Sequence, residues 1–304
     1  MKSYSPVEID RTSLLALKAL TAGQSLPDSR MRVYTGNGEA PSPFRTRGLD
    51  FQEIRAYQPG DDIRQIDWKA TAKHGKPYTK LYTDEKERPV YFVCDLRGGM
   101  RFASHGVFKS VIAARLTMFL AWLAGRKRDR IGAVIILPDE VRSVELTSSQ
   151  GPEAVLEELV RGGAPIPDSS DTITLTRALA ELAPVVKTGS MIFVLSDFND
   201  FTPESAEILH RISARRTISL IRIYDALEAE LPAGSWPITD GRTPAVARVS
   251  TGRQRKYVEA FQKQVQFIEQ TVRKNGWGYL AVQTTDDYLK KLNRFTEVPY
   301  DSDR

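Results

Sequence analysis

The chain lacks the material for several kinds of protein. Cys94 is its only cysteine, so no internal disulfide and no cysteine-rich zinc site can form. Its three histidines, His74, His105 and His210, are scattered without metal-ligand spacing and take surface or capping roles. No G-x-x-x-x-G-K-[ST] phosphate loop, G-x-G-x-x-G fingerprint or G-x-S-x-G elbow occurs. The longest apolar stretch, Val111 to Gly125, contains Arg115 and falls short of the roughly 20 residues that a bilayer span needs. No apolar signal segment follows Met1, and with a single thiol the expected compartment is the reducing cytoplasm. Charge of one sign is scarce too. The 43 basic and 38 acidic residues leave a net +5, too thin and too dispersed to mark a polyanion surface. The one dense basic cluster, Arg126-Lys127-Arg128 with Arg130, follows an apolar helical run, where cations offset the helix dipole. Nucleic acid is therefore disfavoured as a partner.

What is present is an ordinary globular composition: 41% hydrophobic and 27% charged residues over 304 positions. Disorder over most of the length, a coiled coil and a fibrous repeat do not fit it. Five apolar runs stand out: Val90 to Cys94, Ile131 to Leu137, Met191 to Leu195, Ile218 to Ile223 and Tyr279 to Val282. Each is continuous rather than alternating, which predicts strands of a parallel sheet buried on both faces. Helical stripes lie between them: Phe108, Ile112, Leu116, Phe119 and Leu123; then Leu175, Leu179 and Leu182; then Tyr257, Phe261, Val265 and Ile268. The alternation predicts a doubly wound α/β fold with a mostly parallel sheet.

Ahead of it the chain reads differently. A short helix is expected around Leu14 to Leu20, then a flexible stretch through Gly36-Asn37-Gly38 and Pro41-Ser42-Pro43. Two loops are expected later, over Ala164 to Ser170 and, as an excursion off the sheet, over Leu231 to Thr243. The expected division is residues 1–88 for the helix, the flexible stretch and a charged segment, and residues 89–304 for the sheet domain, with the first packed on the second.

The most specific signal runs from Leu49 to Lys73. Pro59-Gly60-Asp61 reads as a turn. Around it, Ile54, Tyr57, Ile63, Ile66 and Trp68 can bury one surface, while Glu53, Arg55, Asp61, Asp62, Arg64, Asp67 and Lys69 supply closely mixed charges. A structural ion-pair network is one reading. The other is a partner-recognition surface that includes Arg55, Asp61, Asp62 and Arg64. Acid catalysis by Asp61 and Asp62 is disfavoured, because the neighbouring arginines hold both carboxylates ionised.

This run resembles the signature of domain-of-unknown-function family 58, bacterial proteins similar to von Willebrand factor A domains. Arg88 to Asp95, Val194 to Asp197 and the acidic-proline turn Tyr224 to Pro232 resemble further family segments. The resemblance implies a protein-interaction fold that often works beside a MoxR-type AAA+ ATPase, and the expectation for this chain is an interaction module without enzymatic activity or cofactor. It also implies a metal-ion-dependent adhesion site at the carboxyl ends of the strands: an aspartate and two serines from one loop, a threonine from a second and an aspartate from a third.

Here that site is expected to be degenerate. Asp95 and Asp197 fill the aspartate positions, but Arg97 and Gly99 stand where serines should be, and Ile173 where threonine should be, with Thr172 and Thr174 beside it. A guanidinium offers no acceptor and repels a cation. Three outcomes are open: Arg97 replaces the metal and pairs with Asp95 or Asp197; Arg97 swings out and leaves a weak metal site; or Arg97 anchors a partner carboxylate or phosphate. The alternative function is a metal-dependent hydrolase, or metal-assisted binder, centred on Asp95, Asp197 and Asp200. Cys94, inside an apolar strand, is expected to be a buried core thiol.

Overall fold

In the computed structural model of the chain, the described residues are 5–24, 26, 33–34, 54–57, 66, 68, 71–72, 75–80, 87–148, 150–164, 171–239 and 244–296. They form two compact units, one of Met1–Ser42 with Glu87–Arg304 and one of Pro43–Lys86.

The larger unit is built on a seven-stranded sheet. In chain order its strands are β1 (Val33–Tyr34), β4 (Pro89–Asp95), β5 (Arg130–Ile136), β6 (Val141–Thr147), β7 (Met191–Ser196), β8 (Thr217–Tyr224) and β11 (Gly278–Gln283), and their spatial order is β1-β11-β8-β7-β4-β5-β6. All neighbours are parallel except β5 and β6. This is the expected doubly wound α/β fold with a mostly parallel sheet. All five continuous apolar runs are strands. The edge strand β6 escaped that reading because one face is open to solvent, so its sequence is mixed rather than continuous.

The continuous strands are apolar because both faces are covered. Val90, Phe92 and Cys94 point into one core, with α2 (Lys109–Arg126). Tyr91 and Val93 point into the other, with α4 (Leu175–Leu182), α5 (Pro203–Ile212) and α7 (Thr251–Asn275). Helix α2 is buried nearly all round, between the sheet and the helices α1 (Arg11–Leu20), α3 (Gly151–Gly162) and α8 (Tyr288–Thr296). A helix apolar on every side belongs in that position.

The expected boundary at residue 88 divides the chain differently from the structure. Asp10 caps α1 by accepting from the Ser13 amide at 2.7 Å. Leu14 and Leu17 then enter the α2 core, and the Trp122 indole donates to the Leu14 carbonyl at 3.1 Å. Buried apolar area therefore groups this helix with the sheet domain. The expected flexible stretch over 36–43 lies outside the described residues.

The excursion expected over Leu231 to Thr243 contains a strand. β9 (Gly234–Thr239) pairs antiparallel with β10 (Pro244–Val249) as a separate two-stranded sheet. Beyond it α7 starts at its cap Ser250 and ends at Gly276, whose φ of +63° closes the helix in a conformation that costs glycine little.

The smaller unit contains an antiparallel pair, β2 (Ile54–Ala56) with β3 (Tyr78–Lys80). The Tyr57 amide donates to the Pro77 carbonyl at 2.8 Å and continues that ladder.

Candidate functional site

In a doubly wound sheet the crevice opens where the chain reverses its direction of winding. Here that point lies between β4 and β7, which are neighbours in the sheet although β5 follows β4 in sequence. Asp95 ends β4, and Asp197 follows the last residue of β7. A crevice of about 350 Å³ lies beyond these ends, lined among others by Asp95, Arg97, Asp171, Ile173, Asp197 and Asp200.

Arg97 fills its centre, 8% exposed. Its Nε donates to Asp95 Oδ1 at 2.9 Å and its Nη2 to Asp95 Oδ2 at 2.7 Å, a bidentate fork. On the other side Nη1 donates to Asp200 Oδ2 at 2.6 Å and Nη2 to Asp200 Oδ1 at 2.9 Å. The fifth donor, on Nη1, reaches the Ile173 carbonyl at 3.0 Å. A guanidinium has five N–H donors, and all are used. Asp95 also accepts from the Arg97 amide at 3.1 Å and the Ser196 hydroxyl at 2.6 Å. Asp200 accepts from the Leu175 amide at 2.8 Å, at the start of α4.

Electrostatics follow the geometry. Burial pushes the Asp200 carboxyl up, but the Arg97 and Leu175 hydrogen bonds outweigh it and hold it below the usual carboxylate range. Burial likewise acts against the Arg97 charge, and the two aspartates more than restore it. At Asp95, the most enclosed of the three, burial dominates and raises the pKa, opposed by Arg97 and Ser196.

Asp197 has a different cation. Lys109, the first residue of α2, is fully buried, and its ammonium contacts Asp197 Oδ2 at 2.9 Å and Glu228 Oε1. Glu228 lies in the short helix α6 (Ala226–Ala229) and accepts the Asp225 amide through Oε2 at 2.9 Å. The two carboxylates raise the Lys109 pKa against the opposing effect of burial. Sequence reading missed Lys109, although one signal was there. A cation in the first turn of a helix opposes the dipole, so it needs an acidic partner nearby.

The chain is strained where it leaves β7. Phe198 has a φ of +58°, a left-handed conformation rare for a bulky side chain that costs on the order of 1–3 kcal/mol. It is held by its amide on Ser196 Oγ at 3.0 Å and by Gln264 of α7, whose Nε2 donates to the Phe198 and Phe201 carbonyls at 2.8 Å. The turn carries Asp197 and Asp200 to their separate cations.

Other expected residues fall as follows. Gly99 lies in a 3₁₀ turn, and a Cβ there would sit 3.6 Å from Asp197 Oδ2. Thr172 is directed elsewhere: its hydroxyl donates to the Pro138 carbonyl at 3.2 Å. Asp171, which sequence reading did not single out, accepts from the Gly98 amide at 2.9 Å and the Gly99 amide at 3.4 Å. Cys94 is fully buried, and burial pushes its thiol up to about 12. In the charged segment, Arg55 lies on β2 and Tyr57 is half-buried. Trp68, expected to help bury a surface, is 70% exposed. Gly60, Asp61, Asp62, Arg64, Asp67 and Lys69 lie outside the described residues.

Among solved structures, this fold is similar to an aerotolerance-related membrane protein from Bacteroides fragilis. That match has 12% identity and a TM-score of 0.41, and it covers 69% of this chain and 98% of that one. A von Willebrand factor type A structure from Catenulispora acidiphila is similar at 14% identity and a TM-score of 0.37, covering 72% of this chain and 42% of that one. No described helix is long and apolar enough to cross a membrane. In sequence, the chain is 24% identical over 267 residues to the uncharacterized protein Rv1480 of Mycobacterium tuberculosis, and equally to the uncharacterized protein Mb1516 of Mycobacterium bovis. Each of those matches covers 85% of this chain and 80% of the relative. Residues 53–271 match the family described as Protein of unknown function DUF58, which is most of the chain, and the protein belongs to that family.

Proposed function

We propose that this protein is a non-enzymatic protein-interaction module whose crevice is a degenerate adhesion site, with Arg97 in place of the metal ion, and that its partner is a MoxR-type AAA+ ATPase. The supporting observation is the saturation of Arg97. All five of its donors go to Asp95, Asp200 and the Ile173 carbonyl, within the molecule.

A divalent cation does not fit the groups present. Mg²⁺ takes about six oxygen ligands in near-ideal geometry. Here a guanidinium stands between two of the carboxylates and an ammonium holds the third. Neither Gly99 nor Ile173 offers a side-chain oxygen. The same arrangement weakens the hydrolase reading centred on Asp95, Asp197 and Asp200, since each of those carboxylates already serves a cation of the chain itself.

Isothermal titration with Mg²⁺ and Mn²⁺ tests the first half. Neither the native protein nor Arg97→Ser should bind tightly, because oxygens are still missing at positions 99 and 173; micromolar affinity in the native protein would refute the reading. The partner is tested by affinity capture from the native cell with identification by mass spectrometry. Recovery of an AAA+ ATPase supports it, and recovery of ribosomes or nucleic acid alone counts against it.

A further inference from the structure

A second buried arginine has no counter-charge. Arg222 lies on β8, level with Ser196 of β7 and Ala281 of β11, and is 5% exposed. Its guanidinium is stacked between two rings, 4.8 Å from the centroid of Tyr224 and 4.7 Å from that of Phe261 on α7. Among the described residues it makes no ion pair; its side chain meets the buried Tyr279 hydroxyl of β11, and its Nε is sealed from solvent. The Nη amino groups are not sealed in that way.

Aromatic faces attract a guanidinium across its flat sides. They do nothing for the N–H donors in its plane, and a buried charge without a counter-charge is costly. The slot is thus half of an ion pair, open along the guanidinium edge that reaches solvent. What completes it is an oxyanion lying in the guanidinium plane.

The surroundings narrow the choice. Arg253, Arg255 and Lys256, in the first turns of α7, are exposed and have no ion pair among the described residues. They favour an approaching acidic segment. A carboxylate is planar and matches the two-pronged guanidinium edge.

We propose that Arg222 anchors one carboxylate side chain of an acidic segment on a partner protein, which enters between Tyr224 and Phe261 and is steered by Arg253, Arg255 and Lys256. That a protein supplies the carboxylate rests on the function proposed above; the anion slot itself does not.

The test uses the full chain labelled with ¹⁵N-arginine and follows the Nε–Hε resonance of Arg222. The probes are the peptide acetyl-Gly-Glu-Gly-Glu-Gly-amide, its glutamine counterpart and inorganic phosphate. The glutamate peptide should shift the resonance saturably, the glutamine peptide should not, and phosphate should bind more weakly. Arg222→Lys should weaken the glutamate peptide about tenfold or more, as expected for loss of one bidentate charge-assisted contact. Replacing Arg253, Arg255 and Lys256 together by glutamine should weaken it about threefold and flatten its salt dependence. No saturable shift, equal shifts with both peptides, or tighter binding of phosphate would overturn the proposal. If Arg222→Lys does not fold, the comparison of the two peptides on the native chain still decides. Because the probe is a defined peptide, a negative result removes the slot and leaves the metal titration and the affinity capture to judge the interaction reading.

Discussion

Arg97 and Arg222 are both nearly shut off from solvent, 8% and 5% exposed. Arg97 spends every donor on acceptors from three different segments: Asp95 at the end of β4, Ile173 before α4 and Asp200 after β7. Arg222 has no carboxylate partner among the described residues, and two aromatic rings hold it by its faces. The contrast separates two uses of a buried cation. One closes a crevice and ties its walls together. The other leaves an unmet demand at the surface, which is where a ligand gains most from binding.

The comparison is broken most severely by removing Arg97. Arg97→Met leaves Asp95 and Asp200 as uncompensated carboxylates, one of them fully buried, and should cost about 3–5 kcal/mol in urea unfolding. A loss under about 1 kcal/mol would mean that the network contributes little. Lys109→Met should cost less, about 2–4 kcal/mol, because Asp197 keeps the Asn199 side-chain and main-chain donors at 2.9 and 3.1 Å.

Titration probes the same two cations from opposite ends of the pH scale. Asp200 is held below its ordinary pKa, so its contribution is complete above about pH 4 and is lost as pH falls through the folded value. Lys109 is held above its ordinary pKa, so its contribution is complete below about pH 10.4 and is lost as pH rises through the folded value. Urea midpoints across both limbs should show the alkaline loss disappear in Lys109→Met and the acid loss shrink in Asp200→Asn.

How much of this was legible beforehand depended on range. Val90 to Cys94 and its four companions declared a buried parallel sheet, because covering both strand faces forces a continuous apolar run. Asp95 and Asp197 were legible as crevice residues from their places at strand ends. Arg97 was placed with Asp95 or Asp197; it joins Asp95 to Asp200, whose position depends on the positive φ of Phe198, which no pattern announces. Lys109 and Glu228 meet across 119 positions, and Arg222 finds Phe261 only because α7 lies over β8. Such pairings are products of tertiary packing. Thr172 shows the converse error: a residue in the right loop whose hydroxyl turns to Pro138 instead.

The smallest expected effect sharpens the comparison most. Arg222→Leu removes a cation with no ion pair to lose among the described residues. Losing two ring contacts costs on the order of 1–2 kcal/mol, while removing an unpaired buried charge and adding an apolar side chain offset most of that. The net change in unfolding free energy should lie within about 1 kcal/mol of zero, against several for Arg97→Met. A large loss would show that Arg222 holds the fold together, as Arg97 does, and would leave α7 without a reason to keep an unpaired guanidinium under it. A near-zero change, with the fold intact by circular dichroism, is what a residue retained for a ligand should give: dispensable to the chain alone, and costly to lose only when the acidic peptide is present.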